Sequence, residues 1–249
     1  MNQLNAVITH LPAAEVEQDL RRLRELAPDS RFVACYTGPR SEFERLEDAT
    51  FVEDGLGGAP RSFQSYHPIF AALDGREFDA LYLFEYDHLI LDPGFEAALI
   101  ELADRTGADF MGKNCVERNQ TNWAHYTRFR RDPDLLDHLR RISTREDPTV
   151  MFGTLGSGMW LRRGALESYL SLETHPRCYG ELYVPTVLHQ LGHRIVDIDA
   201  VSDLYRAVRW EPEYSQEESE ALTAAGAIFV HPVKSPAVRR AVGASVASA

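Results

Sequence analysis

Hydrophobic and polar positions alternate between strand-like and helix-like spacing along the first half of the chain. Short β-branched or apolar runs at residues 5–11, 31–37 and 50–53 predict strands. Residues 14–26 carry apolar side chains at helical spacing, and residues 41–46 form a shorter helical segment. Because strands and helices follow one another in turn, the pattern predicts a parallel sheet.

The most continuous apolar run is Ala-Leu-Tyr-Leu-Phe at residues 80–84, which predicts a central strand buried on both faces of the sheet. This run ends abruptly in Glu-Tyr-Asp-His. A Gly/Pro-rich loop and a helical segment at residues 62–73 precede it, and Pro93 and Gly94 begin a further helix after it. The polar ending therefore lies at one end of the predicted sheet.

After residue 118 the pattern becomes irregular, although helix and strand segments return later, including a strand-like run at residues 153–161. Small residues with two arginines at residues 237–249 predict a flexible tail. We expect one α/β domain over residues 1–236.

The composition agrees with a single α/β domain and makes one class of binding partner, nucleic acid, less probable. The chain has 249 residues, of which 44% are hydrophobic and 26% charged, as in ordinary soluble enzymes. The net charge of -12 argues against nucleic acid as the main partner, because phosphate binding requires clustered basic side chains. The three cysteines have no CxxC spacing, and no segment approaches the ~18 apolar residues of a membrane span. We expect a soluble, cytoplasmic protein without an integral membrane segment.

Candidate chemistry lies at the end of the central apolar run. Glu85 and Asp87 are two residues apart, so in extended backbone both side chains point to the same side. Hard oxygen ligands of this kind suit Mg²⁺ or Mn²⁺, which bind through one or two carboxylates together with substrate phosphates. The alternative is a strand that simply ends in two solvated acids.

The passage Glu-Tyr-Asp-His-Leu-Ile-Leu-Asp-Pro-Gly-Phe resembles the DxD-type motif of nucleotide-sugar-dependent glycosyltransferases of the GT-A type. Glu85 replaces the usual first Asp of that motif. The resemblance implies a GT-A-like, Rossmann-like fold with a mixed, mostly parallel central sheet flanked by helices. It divides the domain into a nucleotide-binding half at residues 1–118 and an acceptor-side half at residues 119–236. It also implies Mn²⁺ or Mg²⁺ held by Glu85 and Asp87, and a nucleoside-diphosphate sugar as donor.

Two downstream segments resemble the acceptor side of the same family. The sequence around Gly156, Ser157 and Gly158 is similar to the family's acceptor-contacting turn, although tight strand packing would also explain these residues. Glu181 opens a predicted helix and resembles the catalytic base of inverting members, which removes the proton of the acceptor hydroxyl. Alternatively, Glu181 only stabilises the helix N-terminus.

The sequence His-Pro-Val-Lys near the end of the chain resembles the C-terminal histidine segment of several GT-A families. By this resemblance His231 is a third metal ligand, while Lys234 meets the leaving diphosphate; a surface histidine is the alternative. Trp123 is either a platform for a sugar ring or part of the core. Further donor contacts are expected after the first strands and before the central one, unless these are ordinary loop residues: Thr9, His10, Tyr36 and Arg61.

These residues predict a metal-assisted, inverting, hexosyltransferase-like enzyme that acts on a carbohydrate or other hydroxyl acceptor. One alternative is a sugar-phosphate nucleotidyltransferase. Such enzymes carry a Gly-rich, basic loop after the first strand, whereas here the sequence is Thr-His-Leu-Pro-Ala-Ala-Glu. The other alternative is a non-catalytic nucleotide- or carbohydrate-binding domain.

Overall fold

A computed structural model describes residues 1–52 and 66–246. The strands in these ranges are β1 (Gln3–Thr9), β2 (Arg31–Tyr36), β3 (Ala49–Phe51), β4 (Ala80–Glu85), β5 (Leu89–Ile90), β6 (Phe110–Gly112), β7 (Val116–Glu117), β8 (Phe152–Gly153), β9 (Met159–Arg162), β10 (Ile195–Asp197) and β11 (Phe229–Val230). The helices are α1 (Ala13–Leu26), α2 (Arg40–Phe43), α3 (His67–Leu73), α4 (Phe95–Thr106), α5 (Ala124–Phe129), α6 (Pro133–Ile142), α7 (Arg163–Leu170), α8 (Gly180–Gln190), α9 (Ile198–Val201), α10 (Gln216–Ala224) and α11 (Pro236–Val246). None of these helices combines the length and the apolar character needed to span a bilayer.

The central sheet has seven strands in the order β10-β6-β9-β4-β1-β2-β3. Its neighbours are parallel except around β9, which runs antiparallel to both β4 and β6. Two small antiparallel ribbons, β5 with β11 and β7 with β8, complete the strand pairing. The predicted fold class is confirmed: the domain is α/β, with a mixed, mostly parallel sheet flanked by helices.

Strand β4 is buried on both faces, as its continuous apolar run predicts. Leu81 and Leu83 belong to one apolar layer, which includes side chains of α3, α7 and α8. Ala80, Tyr82 and Phe84 belong to the opposite layer, with α1 and α4. Because successive side chains of a strand point to opposite faces, one uninterrupted apolar run supplies both layers.

The carboxyl ends of the parallel strands meet at one edge of the sheet. In the register of β1, Ile8 is paired with Cys35 of β2 and with Glu85 of β4. Strand β9 runs the other way, and Met159 at its start is paired with Leu83. The residues that precede β9 therefore reach the same edge as the residues that follow β1, β2 and β4.

The ribbon of β5 and β11 brings the end of the chain to this edge. Leu89 is paired with Val230, and the backbone N–H of Val233 donates to the carbonyl of Asp87 at 2.8 Å. His231, which follows β11, consequently lies beside the residues that precede β5.

Three predicted segments differ from the structure. Of the helix predicted at residues 62–73, residues 62–65 lie outside the described residues, and the helix is present as α3. The strand predicted at residues 153–161 is divided between β8 and β9, because Gly158 turns the chain with a φ of +81°. The irregular stretch before residue 132 contains the short helix α5.

The flexible tail predicted at residues 237–249 is corrected as far as residue 246, because residues 237–246 belong to α11. Arg239 is 2% exposed, and its guanidinium contacts Glu15 at 3.1 Å and Asp19 at 3.5 Å on α1. Val242 is fully buried. Contacts with a distant helix stabilise this segment, and small residues alone do not reveal such contacts.

Candidate metal and active site

Three side chains that can bind a metal converge at the carboxyl edge of the sheet. Glu85 ends β4, Asp87 lies in the turn that follows, and His231 comes directly after β11. One potential ligand atom from each lies within 4.8 Å of the others. The Nε2 atom of His231 is 3.5 Å from Asp87 Oδ1 and 3.7 Å from Glu85 Oε2.

The surroundings of this triad favour a cation. The Nδ1 atom of His231 lies 2.8 Å from the carbonyl oxygen of Arg209, so this nitrogen carries the hydrogen and donates it. A backbone carbonyl that holds one ring nitrogen is the usual support of a metal-binding histidine, since it leaves the other nitrogen free to coordinate. Asp87 is only 3% exposed, and its buried Oδ1 has no hydrogen-bond partner among the described residues. A divalent cation would satisfy this oxygen.

Burial and contact with each other shift the pKa values of Glu85 and His231. Burial raises the pKa of Glu85, even though contact with His231 opposes the shift. Burial tends to lower the pKa of His231, but its contacts with Asp87 and Glu85 outweigh this effect and raise the pKa to about 9. A protonated His231 therefore balances the two acids when no cation is bound. Because a metal ligand must be deprotonated, cation binding would release this proton.

A cleft of about 200 Å³ opens beside the triad. It is lined by the triad and by six further residues: His10, Tyr86, Trp210, Glu211, Pro232 and Lys234. The ring of His10 contacts Tyr86 edge-on at 5.2 Å, and burial lowers the pKa of this histidine. Lys234 is exposed. The structure thus brings His10 and Lys234, both predicted donor contacts, to the predicted metal ligands.

Two other predicted donor contacts, Thr9 and Tyr36, do not line this cleft. Thr9 is buried, and its carbonyl accepts a hydrogen bond from the backbone N–H of Thr37 at 2.9 Å. Tyr36 is fully buried, and its ring stacks on Phe43. Both side chains belong to the packing at the strand ends, because alternation along each strand directs them inward. Arg61 lies outside the described residues.

Glu181 lies in the first turn of α8 and is held from two sides. Its Oε1 accepts a hydrogen bond from the backbone N–H of Gly156 at 3.0 Å, while its Oε2 lies 2.5 Å from Nε2 of His125. The carboxylate therefore has specific partners in addition to its place at a helix N-terminus.

The Gly156–Ser157–Gly158 segment connects Glu181 with the triad. Gly156 binds Glu181, and the hydroxyl of Ser157 accepts a hydrogen bond from the backbone N–H of Glu85 at 3.2 Å. Ser157 is 1% exposed, so its hydroxyl stabilises the segment and does not face the cleft. Adjacent Cα atoms are ~3.8 Å apart, and Glu181 is therefore close to the predicted metal ligand Glu85.

Trp123 lies on the Glu181 side of the site. Its half-buried ring packs against Gly153, with the Arg118 guanidinium 4.6 Å from the ring centroid. The ring centroid of His125 is 4.8 Å away. The structure thus places Trp123 next to the partner of Glu181, and part of its surface is used in packing.

The sequence prediction of the site does not include His88 or Trp210, and it does not foresee that His125 contacts Glu181. His88 is fully buried between the hydroxyls of Tyr82 and Ser157, and burial lowers its pKa well below the ordinary value. His125 contacts Glu181, and Trp210 lines the cleft. The position of His88 directly after the acidic motif could have indicated that it lies near the site. No local sequence pattern pairs His125 with Glu181.

No protein-family model and no curated protein matches the chain. Among solved structures, it is similar to the mannosyltransferase PcManGT from Pyrobaculum calidifontis in complex with GDP-Man and Mn²⁺, with 14% identity and a TM-score of 0.47 over 98% of this chain and 73% of that one. It is also similar to S. aureus TarS 1–349, with 10% identity and a TM-score of 0.40 over 79% of this chain. It is similar, too, to the galactosyltransferase LgtC in complex with donor and acceptor sugar analogs, with 11% identity and a TM-score of 0.37 over 80% of this chain and 74% of that one.

The chain spans 58% of the TarS 1–349 structure. Similarity at this distance concerns the fold alone and does not bear on the activity.

Proposed function

We propose that this protein transfers a sugar of the hexose type from a nucleoside-diphosphate sugar to a hydroxyl acceptor, with the assistance of Mn²⁺ or Mg²⁺ and with inversion at the anomeric carbon. The observation that carries the proposal is the triad of Glu85, Asp87 and His231 at the carboxyl edge of the sheet. Ligands of open α/β sheets bind at this edge.

The triad and Lys234 would hold the donor. Glu85, Asp87 and His231 would bind a divalent cation, which when bound supplies Lewis-acid and electrostatic stabilisation of the departing diphosphate. Lys234 is exposed at the same cleft and adds a positive charge for phosphate oxygens. His10, directly after β1, also lines this cleft and would contact the donor there.

Glu181 would act as the base. Its carboxylate would take the proton of the acceptor hydroxyl as that oxygen forms a bond to the anomeric carbon. The bond between the anomeric carbon and the diphosphate oxygen breaks at the same time, and its electron pair leaves with the diphosphate. The link from Glu181 through Gly156 and Ser157 to Glu85 supports this role, because it places base and donor ligands close together.

The acceptor would lie between Glu181 and the cleft. Gly156 has no side chain to fill this space, and Trp123 and His125 lie beside Glu181. A carbohydrate suits such a surface, because the apolar face of a sugar packs on aromatic rings.

A thermal-shift screen tests the donor site. Nucleoside diphosphates with Mn²⁺ should raise the melting temperature, because ligands that bind only the folded state stabilise it by mass action. Asp87→Asn should abolish the effect of Mn²⁺. If no nucleoside diphosphate stabilises the protein with Mn²⁺ or Mg²⁺, the donor site is refuted.

A transfer assay with the stabilising nucleotide's sugar derivatives tests the chemistry. Glu181→Gln should lower kcat by about 10²–10⁴-fold while donor binding is kept. Glu167→Gln, an exposed acid on α7, is the matched control. Intact turnover in Glu181→Gln would refute the base and the inverting route. Donor binding without turnover of any acceptor would indicate a binding domain, and pyrophosphate release from a sugar 1-phosphate and a nucleoside triphosphate would indicate a nucleotidyltransferase.

A further inference from the structure

His125 is tied to the site by the short contact with Glu181. The Nε2 atom of this histidine lies 2.5 Å from Oε2 of the carboxylate. A proton must lie between the two atoms, because a deprotonated ring nitrogen and a carboxylate oxygen both present lone pairs and would repel each other. The ring N–H of His125 therefore donates to one particular oxygen of Glu181.

The imidazole itself is held on both sides. Its ring centroid lies 4.2 Å from that of Tyr179 and 4.8 Å from that of Trp123. Tyr179 is fixed in turn by Arg128, whose guanidinium donates to the phenol oxygen at 2.7 Å. On the other side, the Arg118 guanidinium lies over the ring of Trp123. A rotation of His125 would have to displace these neighbours.

The two contacts of Glu181 define its orientation. Gly156 holds Oε1 through a backbone N–H, and His125 holds Oε2 through a ring N–H. Each carboxylate oxygen has two lone pairs, so one lone pair on each oxygen remains for a substrate hydroxyl. A side chain with three rotatable bonds is thereby restricted to one geometry, and proton transfer requires this kind of restriction.

We propose that His125 is a positioning residue for the acceptor-side base: its ring N–H fixes the Glu181 carboxylate toward the acceptor hydroxyl. This inference rests on the proposed function and adds a residue to it. It also accounts for the aromatic rings on both sides of His125, because they keep the imidazole in place.

Three substitutions separate positioning from packing. His125→Phe keeps the ring between Trp123 and Tyr179 but removes the N–H. His125→Gln loses the ring but retains an N–H donor that reaches toward Glu181. His189→Phe on α8 is the matched control, because this half-buried histidine packs on Phe152 and has no contact with the site among the described residues.

The readouts are kcat, KM for acceptor and donor, donor affinity with Mn²⁺, and the melting temperature. His125→Phe should lower kcat about 100-fold, which is the effect of a misplacement of ~1 Å. Donor affinity should change less than about twofold, because the triad is untouched. His125→Gln should recover much of the lost kcat, and His189→Phe should behave like the wild type.

A double substitution gives the sharpest test. If His125 acts through Glu181, His125→Phe should cause no further loss of kcat in a Glu181→Gln background, because residues that act as a unit are not additive. Wild-type kcat in His125→Phe would overturn the inference. So would an equal loss in His125→Phe and His125→Gln with donor binding kept, since His125 would then take the proton itself. A parallel loss of donor affinity and kcat would also overturn it, because His125 would then support only the fold.

These outcomes are separate from failure of the proposed function. If the wild-type protein transfers no sugar from any nucleoside-diphosphate sugar that binds it, both proposals fall. If it transfers sugar and His125→Phe transfers it equally well, only the role of His125 is refuted.

Discussion

The sharpest single perturbation of the site is Gly156→Ala. A Cβ atom at this position would lie 2.7 Å from Oε1 of Glu181 and 2.8 Å from the hydroxyl of Tyr66. Ordinary contacts begin at 3.4 Å, so the neighbours must withdraw by about 0.7 Å. Tyr66 is 1% exposed and has little room to move, whereas Glu181 is a flexible side chain. The methyl group therefore displaces the carboxylate.

This displacement should affect catalysis more than stability. A misplacement approaching ~1 Å can cost about 100-fold in rate, so we expect kcat to fall by roughly 10–100-fold. The free energy of unfolding should fall by about 1–3 kcal/mol, as in other overpacked sites. The affinity for Mn²⁺ should be unchanged, because Gly156 does not contact the triad directly.

The measurements are steady-state transfer kinetics, urea unfolding, and Mn²⁺ titration by calorimetry. Gly164→Ala is the matched control, because a Cβ there meets no atom within 4 Å and Gly164 lies inside helix α7. The control should retain wild-type kcat and gain ~0.5–1 kcal/mol of stability. If Gly156→Ala retained wild-type kcat as well, the position of Glu181 would not matter for the reaction, and its role as the base would be refuted.

Three further predictions test the metal site, the C-terminal helix and pH dependence. Asp87→Asn should weaken Mn²⁺ binding roughly 100-fold in a calorimetric titration, because a buried carboxylate loses its charge, while Asp92→Asn on the surface should not. In urea unfolding, Arg239→Ala should destabilise the protein by about 1–3 kcal/mol, because it removes a buried guanidinium and takes this partner away from two partly buried acids. Arg24→Ala, at an exposed ion pair, should cost less than ~1 kcal/mol. Burial lowers the pKa of His175 from 6.5 to about 4, so the unfolded chain takes up a proton in this range that the folded chain does not. Stability should therefore be complete above pH 6.5 and fall by roughly 1 kcal/mol toward pH 4, because water screens this half-buried ring and reduces the effect of the full pKa shift. His175→Phe should reduce this loss.

Local patterns predict much of the fold. The apolar run at residues 80–84 predicts a strand buried on both faces, and β4 has this environment. Its spacing contains the necessary information, because side chains alternate between faces and every position is apolar. The same patterns do not show that β9 is antiparallel, because strand direction depends on the partners and not on the strand itself.

The sequence also predicts which residues converge at the proposed metal site more readily than it predicts the donor contacts. Glu85 and Asp87 are two residues apart after a buried strand, and the structure places both, with His231, in one group of side chains that could hold a metal ion. Thr9 and Tyr36 also follow or end strands, yet their side chains lie in the packing and do not line the cleft. Position at a strand end specifies the edge of the sheet, but the direction of each side chain depends on the packing around it.

By itself, the sequence determined the α/β class, the central strand and the acidic pair that follows it, because these features depend on the spacing of neighbouring residues. Only the tertiary structure decided which distant residues meet that pair. Pairing of β5 with β11 brings His231 to Asp87, and the packing of α5 against the start of α8 brings His125 to Glu181. The physical reason is that strand register and helix packing bring distant segments into contact. These contacts do not produce a periodic pattern of residues in either segment, so the sequence alone does not show them.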